Sequence, residues 1–359
     1  MYDCDNLQGN MDNFMQVLEQ AAYRDCIPLK GNFELTARCN FNCNMCYIHL
    51  NEEQIQKQGR ELTNEEWLDI ARQAKEAGML YLTLTGGEVF ARPGFKELYL
   101  ALSEMGFLIQ ILSNGYLIDE KVMEWLSETP PYAMRFTLYG ASNETYRQVC
   151  GVKDGFDRVS HAIDLVIQAG IPFFLVSTIV KENVHDLDEM LAFACEKKVE
   201  FIATPSVVKA VRGATQDAEA HRLDILTGYT EKMEKTKQSG ANRLYGHIEN
   251  PLDICGSYRK SFWLTWNGKL QLCSFMERPA VPLTECIDFY ESWNLLLEQL
   301  KQIQMPEKCK DCQYEGFCVR CPGALAAECG DCSSVNEAFC NHAKRLYLAF
   351  LEKEDGECR

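Results

Sequence analysis

The sequence predicts an α/β fold, a partial (β/α)6 TIM-like barrel followed by a C-terminal cysteine-rich domain. Six short apolar segments alternate with helical patterns up to residue 210. Such near-continuous apolar runs are typical of parallel strands covered on both faces, and right-handed crossovers curl these units into a barrel that is open at one side. Beyond residue 210 the pattern changes, first to a polar stretch and then to a segment dense in cysteine.

The order of elements follows from these patterns. The predicted strands lie near 33–37, 80–84, 107–112, 133–138, 172–179 and 199–203, and the helices near 63–78, 94–105, 119–127, 156–169 and 185–197. We divide the chain into a lead-in (1–30), the barrel (31–210), linker helices (211–254) and the cysteine-rich domain (255–359). Active-site residues of such barrels lie in the loops at the C-terminal ends of the strands, so we expect the chemistry there.

Composition and charge exclude several classes of protein. The chain has 359 residues, of which 47% are hydrophobic, and this supports a packed core and argues against disorder. Its formal net charge of −16, without any basic run, argues against nucleic-acid binding, which needs a positive surface. The first residues carry no signal-peptide pattern and no apolar run approaches a membrane span, so we expect a cytoplasmic protein without a membrane partner.

The 18 cysteines and six histidines indicate metal binding. Many cysteines in a cytosolic chain more often bind metal than form disulfides. The few histidines favour sites made of thiolates alone, and therefore iron–sulfur clusters over mixed zinc sites. We expect four scattered cysteines to be ordinary buried thiols: Cys4, Cys26, Cys150 and Cys195.

Cys39, Cys43 and Cys46 form a C-x3-C-x2-C run directly after the first predicted strand. A closed metal site takes four protein ligands, so three cysteines leave one iron of a [4Fe–4S] cube open. Together with motifs after the following strands, this run resembles the fingerprint of the radical S-adenosylmethionine (SAM) superfamily. The resemblance implies a [4Fe–4S] cluster that binds SAM and cleaves it reductively to a 5′-deoxyadenosyl radical, which abstracts hydrogen from a substrate.

The same resemblance implies SAM contacts after the second and third strands. Gly86, Gly87 and Glu88 match the stretch that contacts the SAM amino group. Ser113 and Asn114 match the segment that contacts the ribose. Gly-Gly and Ser-Asn-Gly are also common turns, but their order after consecutive strands favours the functional interpretation.

Four further residues complete the implied SAM site. Thr137 follows the fourth strand, and Arg147 falls where many relatives hold the SAM carboxylate with an arginine. Alternatively, Arg147 pairs with Glu144 on a surface helix. The family often has an aromatic residue before the last cysteine; here that residue is Met45, and Tyr47 is expected to supply the ring near the adenine unless Met45 is simply packed in the core.

The C-terminal cysteines resemble the SPASM extension of radical SAM enzymes, which carries one or two auxiliary [4Fe–4S] clusters. The resemblance implies two ligand sets: Cys309, Cys312, Cys318 and Cys340 for one cluster, and Cys255, Cys273 and Cys321 for the other. The fourth ligand of the latter stays open between Cys286, Cys329, Cys332 and an unfilled position. Zinc bound to the paired Cys-x2-Cys knuckles is the alternative to iron.

With both cysteine regions, the chain resembles enzymes that mature ribosomally synthesised peptides by thioether or other crosslinks, or by epimerisation. The expected partners are a peptide substrate and an external electron donor such as ferredoxin or flavodoxin. Residues 1–30 are too few for an independent leader-binding domain, so we expect a separate leader-peptide-binding protein, another surface of this chain that binds the leader, or no leader recognition at all. The alternatives are an anaerobic sulfatase-maturase-like dehydrogenase that forms formylglycine, a radical SAM enzyme acting on a small cofactor precursor, and a non-catalytic electron carrier.

Overall fold

A computed structural model describes residues 4–223, 252–283, 288–304, 306–318 and 321–357. One sheet contains β1 (Lys30–Glu34), β2 (Tyr81–Thr85), β3 (Leu108–Ser113), β4 (Ala133–Thr137), β5 (Phe173–Thr178), β6 (Phe201–Thr204), β7 (Ser261–Leu264), β8 (Lys269–Gln271) and β9 (Val281–Pro282). Their order across the sheet is β6-β5-β4-β3-β2-β1-β7-β8-β9, and β1 to β6 are parallel. Because β6 and β9 lie at opposite ends of this sheet, the barrel is not closed, and the predicted partial barrel is confirmed.

Helices connect the barrel strands and continue after the sheet. Within the described ranges they are α1 (Cys4–Asp25), α2 (Glu52–Gln58), α3 (Asn64–Glu76), α4 (Phe95–Glu104), α5 (Glu120–Leu126), α6 (Asn143–Cys150), α7 (Gly155–Gln168), α8 (Leu187–Lys197), α9 (Phe289–Leu300), α10 (Pro322–Cys329) and α11 (Glu337–Glu357). None of the helices in these ranges combines the length and hydropathy that a membrane crossing requires.

Helix α3 shows how local sequence sets these boundaries. The Thr63 side chain accepts a hydrogen bond from the Glu66 amide, and the Glu66 carboxylate accepts one from the Thr63 amide, so the two residues form a capping box. One turn later Trp67 is fully buried and packs on Phe33 of β1, with 4.9 Å between ring centroids. Asn51 caps α2 in the same way, although the sequence analysis did not predict that helix.

The barrel strands are buried on one face and only partly buried on the other. In β3, Ile109 and Ile111 belong to the core, whereas Gln110 and Leu112 are partly exposed. The expectation that the strands are covered on both faces is therefore wrong for the partly exposed face, which points into the barrel. Apolar residues such as Phe174 of β5 also lie on the partly exposed face, and this is why the sequence shows continuous apolar runs. The inner face remains accessible to ligands.

The boundaries differ most from expectation at β1. This strand covers Lys30–Glu34 and not 33–37, so four residues separate it from Cys39. Those residues form the start of the loop that carries the first three cysteines. Of the predicted linker helices over 211–254, residues 224–251 lie outside the described ranges.

The hairpin after Cys255 continues the barrel sheet. Strand β7 pairs in parallel with β1, from Lys30 opposite Ser261 to Phe33 opposite Leu264. Strand β8 returns antiparallel after a turn in which Gly268 has a φ of 82°, a conformation that favours glycine. The pairing of this hairpin with β1 was not predicted from the sequence. It brings the C-terminal cysteines next to the barrel.

Candidate active site

The loop with Cys39, Cys43 and Cys46 is held against the end of β2 by backbone contacts. The Gly87 amide donates to the Thr36 carbonyl, and the Glu88 amide donates to the Arg38 carbonyl, both at 2.8 Å. A Cβ on Gly86 would lie 2.6 Å from the Thr36 carbonyl oxygen, and one on Gly87 only 2.2 Å from that of Arg38. The two glycines are therefore required by close approach of the cysteine loop itself.

Glu88 joins the loop after β2 to the loop after β3. Its carboxylate accepts hydrogen bonds from the Asn114 amide at 2.7 Å, the Ser113 hydroxyl at 2.9 Å and the Phe90 amide at 3.1 Å. Glu88 is 1% exposed, and this burial raises the pKa of its carboxyl to about 7. The structure thus brings together three of the predicted SAM-site residues, Glu88, Ser113 and Asn114, through direct hydrogen bonds.

The other side of the cysteine loop is fixed by the C-terminus of α6. The Asn42 amide donates to the Cys150 carbonyl at 3.1 Å, and the Asn44 amide to the Val149 carbonyl at 2.9 Å. The thiol of Cys150 and the hydroxyl of Tyr139 both donate hydrogen bonds to the Cys43 sulfur, and they lower the pKa of that thiol. Cys150 was expected to be an ordinary buried thiol; it is buried, but it directly contacts a predicted cluster ligand.

Backbone and side-chain donors also surround the other two sulfurs. The Phe41 amide lies 3.4 Å from the Cys39 sulfur, and Nδ2 of Asn114 lies 4.0 Å from it. The Cys46 sulfur accepts from two following backbone amides, although burial raises the pKa of its thiol to about 12. Thiolates buried without water are stabilised by such donors.

The chemistry of this loop fits a bound [4Fe–4S] cluster. The amide nitrogen Nδ2 of Asn40 is buried beside Cys39 and has no hydrogen-bond partner among the residues that the structure describes. A buried donor without a partner needs an acceptor, and the sulfides of a cluster or the polar groups of its SAM ligand supply acceptors. Three sulfurs with hydrogen-bond donors around them, together with this free donor, are therefore suited to a negatively charged cluster.

The four remaining residues of the predicted SAM site lie in different surroundings. Met45 is buried in the main core, whereas Thr137 is partly exposed at the end of β4. Arg147 lies on the exposed side of α6 and forms an ion pair with Glu144 one turn away. Tyr47 packs edge-on against Phe275, with 4.9 Å between ring centroids.

In the C-terminal region, Cys255, Cys273 and Cys321 come together although they are far apart in sequence. A Cβ on Gly323 would lie 2.8 Å from the Cys273 sulfur and 3.8 Å from the Cys321 sulfur. Burial, with the nearby sulfurs of Cys321 and Cys255, raises the pKa of the Cys273 thiol to about 12. Absence of a side chain at Gly323 leaves room between these sulfurs.

Cys332 contacts the residue that follows Cys321, because its thiol donates to the Pro322 carbonyl at 3.4 Å. Burial, then the charges of Asp331 and Cys321, raise the pKa of the Cys332 thiol to about 11. By contrast, the charged neighbours of Cys329 are Glu328, Asp331 and Lys209. Cys286 lies outside the described residues.

The second predicted ligand set lies around the start of α11. Cys340 is in the first turn of that helix. Tyr347, two turns later, packs on Tyr314 and Phe317 with centroid distances of 5.5 and 5.6 Å, and these residues lie between Cys312 and Cys318. Across the described residues, no three His, Cys, Asp or Glu side chains converge closely enough to hold a single metal ion.

The two cysteine regions are connected through Tyr47 and Arg212. The Tyr47 hydroxyl hydrogen-bonds to Ser274, and its carbonyl accepts from the Val211 amide at 2.8 Å. Nη1 of Arg212 lies 2.8 and 2.7 Å from the two carboxylate oxygens of Glu34 at the end of β1. A cavity of about 670 Å³ opens beside this ion pair, between the barrel and the β7–β8 hairpin.

Sequence reasoning missed Glu34, Arg212, Tyr139 and the role of Cys150. Tyr139 stands in the strand-end motif after β4, so its place in the chain was a usable indication. Glu34 was taken for part of an apolar strand. Arg212 has no motif around it, and only the fold brings it to β1.

Comparisons with known proteins agree with this geometry. A family model described as Radical SAM superfamily matches residues 33–194. The chain is 24% identical over 265 residues to the sporulation killing factor maturation protein SkfB of Bacillus subtilis, a match covering 72% of this chain and 63% of that protein. It is 25% identical over 307 residues to the PqqA peptide cyclase of Gluconobacter oxydans, covering 80% and 83%. The match to SkfB thus spans less than two thirds of that relative's length.

Among solved structures, SuiB of Streptococcus suis bound to S-adenosylmethionine superposes with a TM-score of 0.64 at 17% identity. The superposition covers 95% of this chain and 84% of that chain. At this identity the similarity establishes the fold.

Proposed function

Since this chain belongs to the radical SAM superfamily, we propose that it is an enzyme that matures a ribosomally synthesised peptide. The observation that carries the proposal is the direct connection, through Tyr47, between the three-cysteine loop and the C-terminal cysteine group. Relatives named for peptide chemistry support it: the SkfB maturation protein, the PqqA peptide cyclase and SuiB, which has been solved with its precursor peptide SuiA. The product would carry a thioether or other crosslink, or an epimerised residue.

In this proposal Cys39, Cys43 and Cys46 hold the [4Fe–4S] cluster. When bound, the cluster and SAM supply a 5′-deoxyadenosyl radical that takes a hydrogen atom from the substrate. The chain's own residues position these groups: the loop around Gly86 and Gly87 lies beside the cysteine loop, and Ser113 and Asn114 are fixed next to it by Glu88. The partly exposed inner face of the barrel is where a substrate would meet SAM.

For the auxiliary clusters, we assign Cys332 as the fourth ligand beside Cys255, Cys273 and Cys321. The hydrogen bond from its thiol to the carbonyl of Pro322, the residue directly after Cys321, supports this choice over Cys329. Four protein ligands close a cluster to substrate, so this cluster would carry electrons and would not bind the peptide directly. Cys309, Cys312, Cys318 and Cys340 would hold the second auxiliary cluster.

The proposed partners follow from the reaction. Reductive SAM cleavage needs one electron, for which ferredoxin or flavodoxin is the proposed donor, and because such donors are cytoplasmic we place the reaction in the cytoplasm. A separate protein that binds the leader peptide is the remaining proposed partner.

The test is incubation of the anaerobically reconstituted protein with SAM, dithionite and precursor peptides encoded beside its gene. We expect 5′-deoxyadenosine together with a peptide whose mass falls by two hydrogens per crosslink, or an epimerised residue of unchanged mass, found by chiral analysis. Formation of 5′-deoxyadenosine without any change in these peptides would argue against a peptide substrate. Conversion of a sulfatase-derived cysteine or serine to formylglycine would instead favour the maturase alternative.

A further inference from the structure

Two buried side chains beside the cavity have polar atoms without a hydrogen-bond partner in the described part of the chain. They are Arg212, with Nε and Nη2 free, and Gln271, with Oε1 free. The Arg212 side chain is 10% exposed and Gln271 is 2% exposed, and both line the cavity of about 670 Å³. Because buried polar groups are almost always paired, two such residues on one cavity indicate a ligand that supplies the missing partners.

Arg212 and Gln271 are linked through Glu277, whose carbonyl accepts from Nε2 of Gln271 at 3.5 Å and whose carboxylate accepts from the Arg212 amide. Arg212 contacts both carboxylate oxygens of Glu34, and Nε1 of Trp263 donates to Oε2 of Glu34 at 2.8 Å. Trp263 of β7 is directly opposite Gln271 of β8 in the antiparallel pair, so their side chains share one face of the sheet. Arg212 and Gln271 thus line the same cavity, with their unpartnered atoms buried just behind its surface.

Arg212 is held in place by the surrounding chain. Its backbone has a φ of 54°, in the left-handed region that L residues rarely adopt. Nε2 of Gln58 donates to its carbonyl at 2.7 Å, and its amide donates to the Glu277 carboxylate. Strained residues that the surrounding structure holds in place are concentrated at binding sites.

The charges around Arg212 and Gln271 favour a ligand that is neutral where it meets them. Glu34 already neutralises Arg212, and the exposed side chains at the cavity, Glu277, Lys269 and Arg278, lie toward solvent. A carboxylate would be desolvated beside Glu34 and would place a second acceptor against Oε1 of Gln271. An amide offers what is missing: a carbonyl for the guanidinium and an N–H for the glutamine.

We propose that Arg212 and Gln271 form a subsite that binds an amide group of the substrate. The amide comes either from the peptide main chain or from an asparagine or glutamine side chain, and the proposal rests on the proposed peptide substrate. Residue 211 hydrogen-bonds to Tyr47, directly after Cys46, so an amide bound here would be held next to the cysteine loop. The subsite would therefore position the substrate for hydrogen abstraction.

Binding of small amides tests the subsite without any turnover. The probes are N-methylacetamide for a main-chain amide, acetamide for a side-chain amide and sodium acetate as the anionic control. The readout is the indole 15N–1H signal of Trp263, assigned with Trp263→Phe, because this group donates to Glu34. We expect a saturable shift with an amide and none with acetate. The more tightly bound of the two amides identifies the source.

Two variants and one matched control complete the experiment. Gln271→Leu should weaken amide binding by roughly five-fold with little loss of thermal stability, since Oε1 has no partner among the described residues and Nε2 makes only a long bond, of 3.5 Å, to the Glu277 carbonyl. Gln299→Leu makes the same change on a partly exposed residue of the same cavity and should leave binding unchanged. Arg212→Lys keeps the charge opposite Glu34 but loses the guanidinium fork, and it should also weaken binding.

Three results would contradict the proposed subsite. They are a shift with acetate alone, no shift with any probe, and amide binding by Gln271→Leu that equals that of the wild-type protein. Because SAM cleavage is not measured in this experiment, its failure leaves the proposed function to be judged by the peptide assay. Conversely, amide binding by a protein that modifies no peptide would count against the proposed function and not against the subsite.

Discussion

The two cysteine regions place their thiols in different ways. The first region is a short loop held on both sides by main-chain hydrogen bonds, to the end of β2 and to the end of α6. The second gathers cysteines from the hairpin and from the start of α10, with Gly323 between two of the sulfurs. A local motif at the end of a parallel strand can be recognised from sequence, whereas a group assembled from distant segments needs the fold.

The largest expected effect is the loss of iron when one cysteine of either region is replaced, and it should show that the two regions bind their clusters independently. Cys43→Ala should remove about four irons per chain and leave the C-terminal iron, because a [4Fe–4S] cube is held as a unit. Cys273→Ala should remove about four irons from the other region and leave the first cluster. Iron and acid-labile sulfide, measured after anaerobic reconstitution, check both. Equal loss from both regions in either variant would contradict independent sites.

Gly87→Ala should disrupt the first region alone. The new Cβ would lie 2.2 Å from the Arg38 carbonyl, so the cysteine loop must move, at a cost of about 3 kcal/mol in the free energy of unfolding. Gly256→Ala, beside Cys255 in the second region, meets no atom within 4 Å and is the matched control. Denaturant unfolding measures the difference; two equally stable variants would refute the close approach.

Glu88 should make the stability of the first region depend on pH. Its pKa in the folded protein, about 7, lies above the ordinary 4.5, so the fold favours the protonated form. The stabilisation is complete below pH 4.5 and is lost as the pH rises to 7, by up to roughly 3 kcal/mol. Denaturant unfolding of the metal-free protein should show this loss relative to Glu88→Gln, which does not titrate. A constant difference between the two proteins across this range would contradict the burial of an ionisable carboxyl.

The smallest expected effect is on the reduction potential of the first cluster. Cys150→Ala removes a hydrogen bond to the Cys43 sulfur, and without this donor the more negative, reduced cluster is less stable. The midpoint potential should fall, as measured by a redox titration followed by electron paramagnetic resonance. Cys195→Ala, at an exposed cysteine, should leave it unchanged. If the midpoint potential of Cys150→Ala is unaltered, Cys150 only packs in the core and does not tune the cluster.

Sequence predicted the barrel well because strand and helix periodicities are local. The capping box at Thr63 and the turn at Gly268 are local in this sense, because each needs only a few neighbouring residues. By contrast, the pairing of β7 with β1 depends on contacts more than 200 residues apart in sequence, as between Lys30 and Ser261. No local pattern records such a contact.

The same distinction holds within the candidate site. Glu88, Ser113 and Asn114 were predicted as SAM contacts because the short motifs after consecutive strands resemble those of the radical SAM superfamily, and in the structure they are joined by hydrogen bonds. Arg212 was not found, since its partner Glu34 lies 178 positions away and their ion pair exists only after folding. The proposed assignment of Cys332 as a fourth ligand beside Cys321 likewise depends on a tertiary contact that no local pattern records.

The most direct test of the account is 5′-deoxyadenosine formation from SAM under dithionite. The wild-type protein and the Cys273→Ala variant should both form it. A variant with Cys39, Cys43 and Cys46 all replaced by alanine should form none, although its C-terminal iron remains. Undiminished 5′-deoxyadenosine formation by that triple variant would contradict the assignment of SAM cleavage to the first cysteine region.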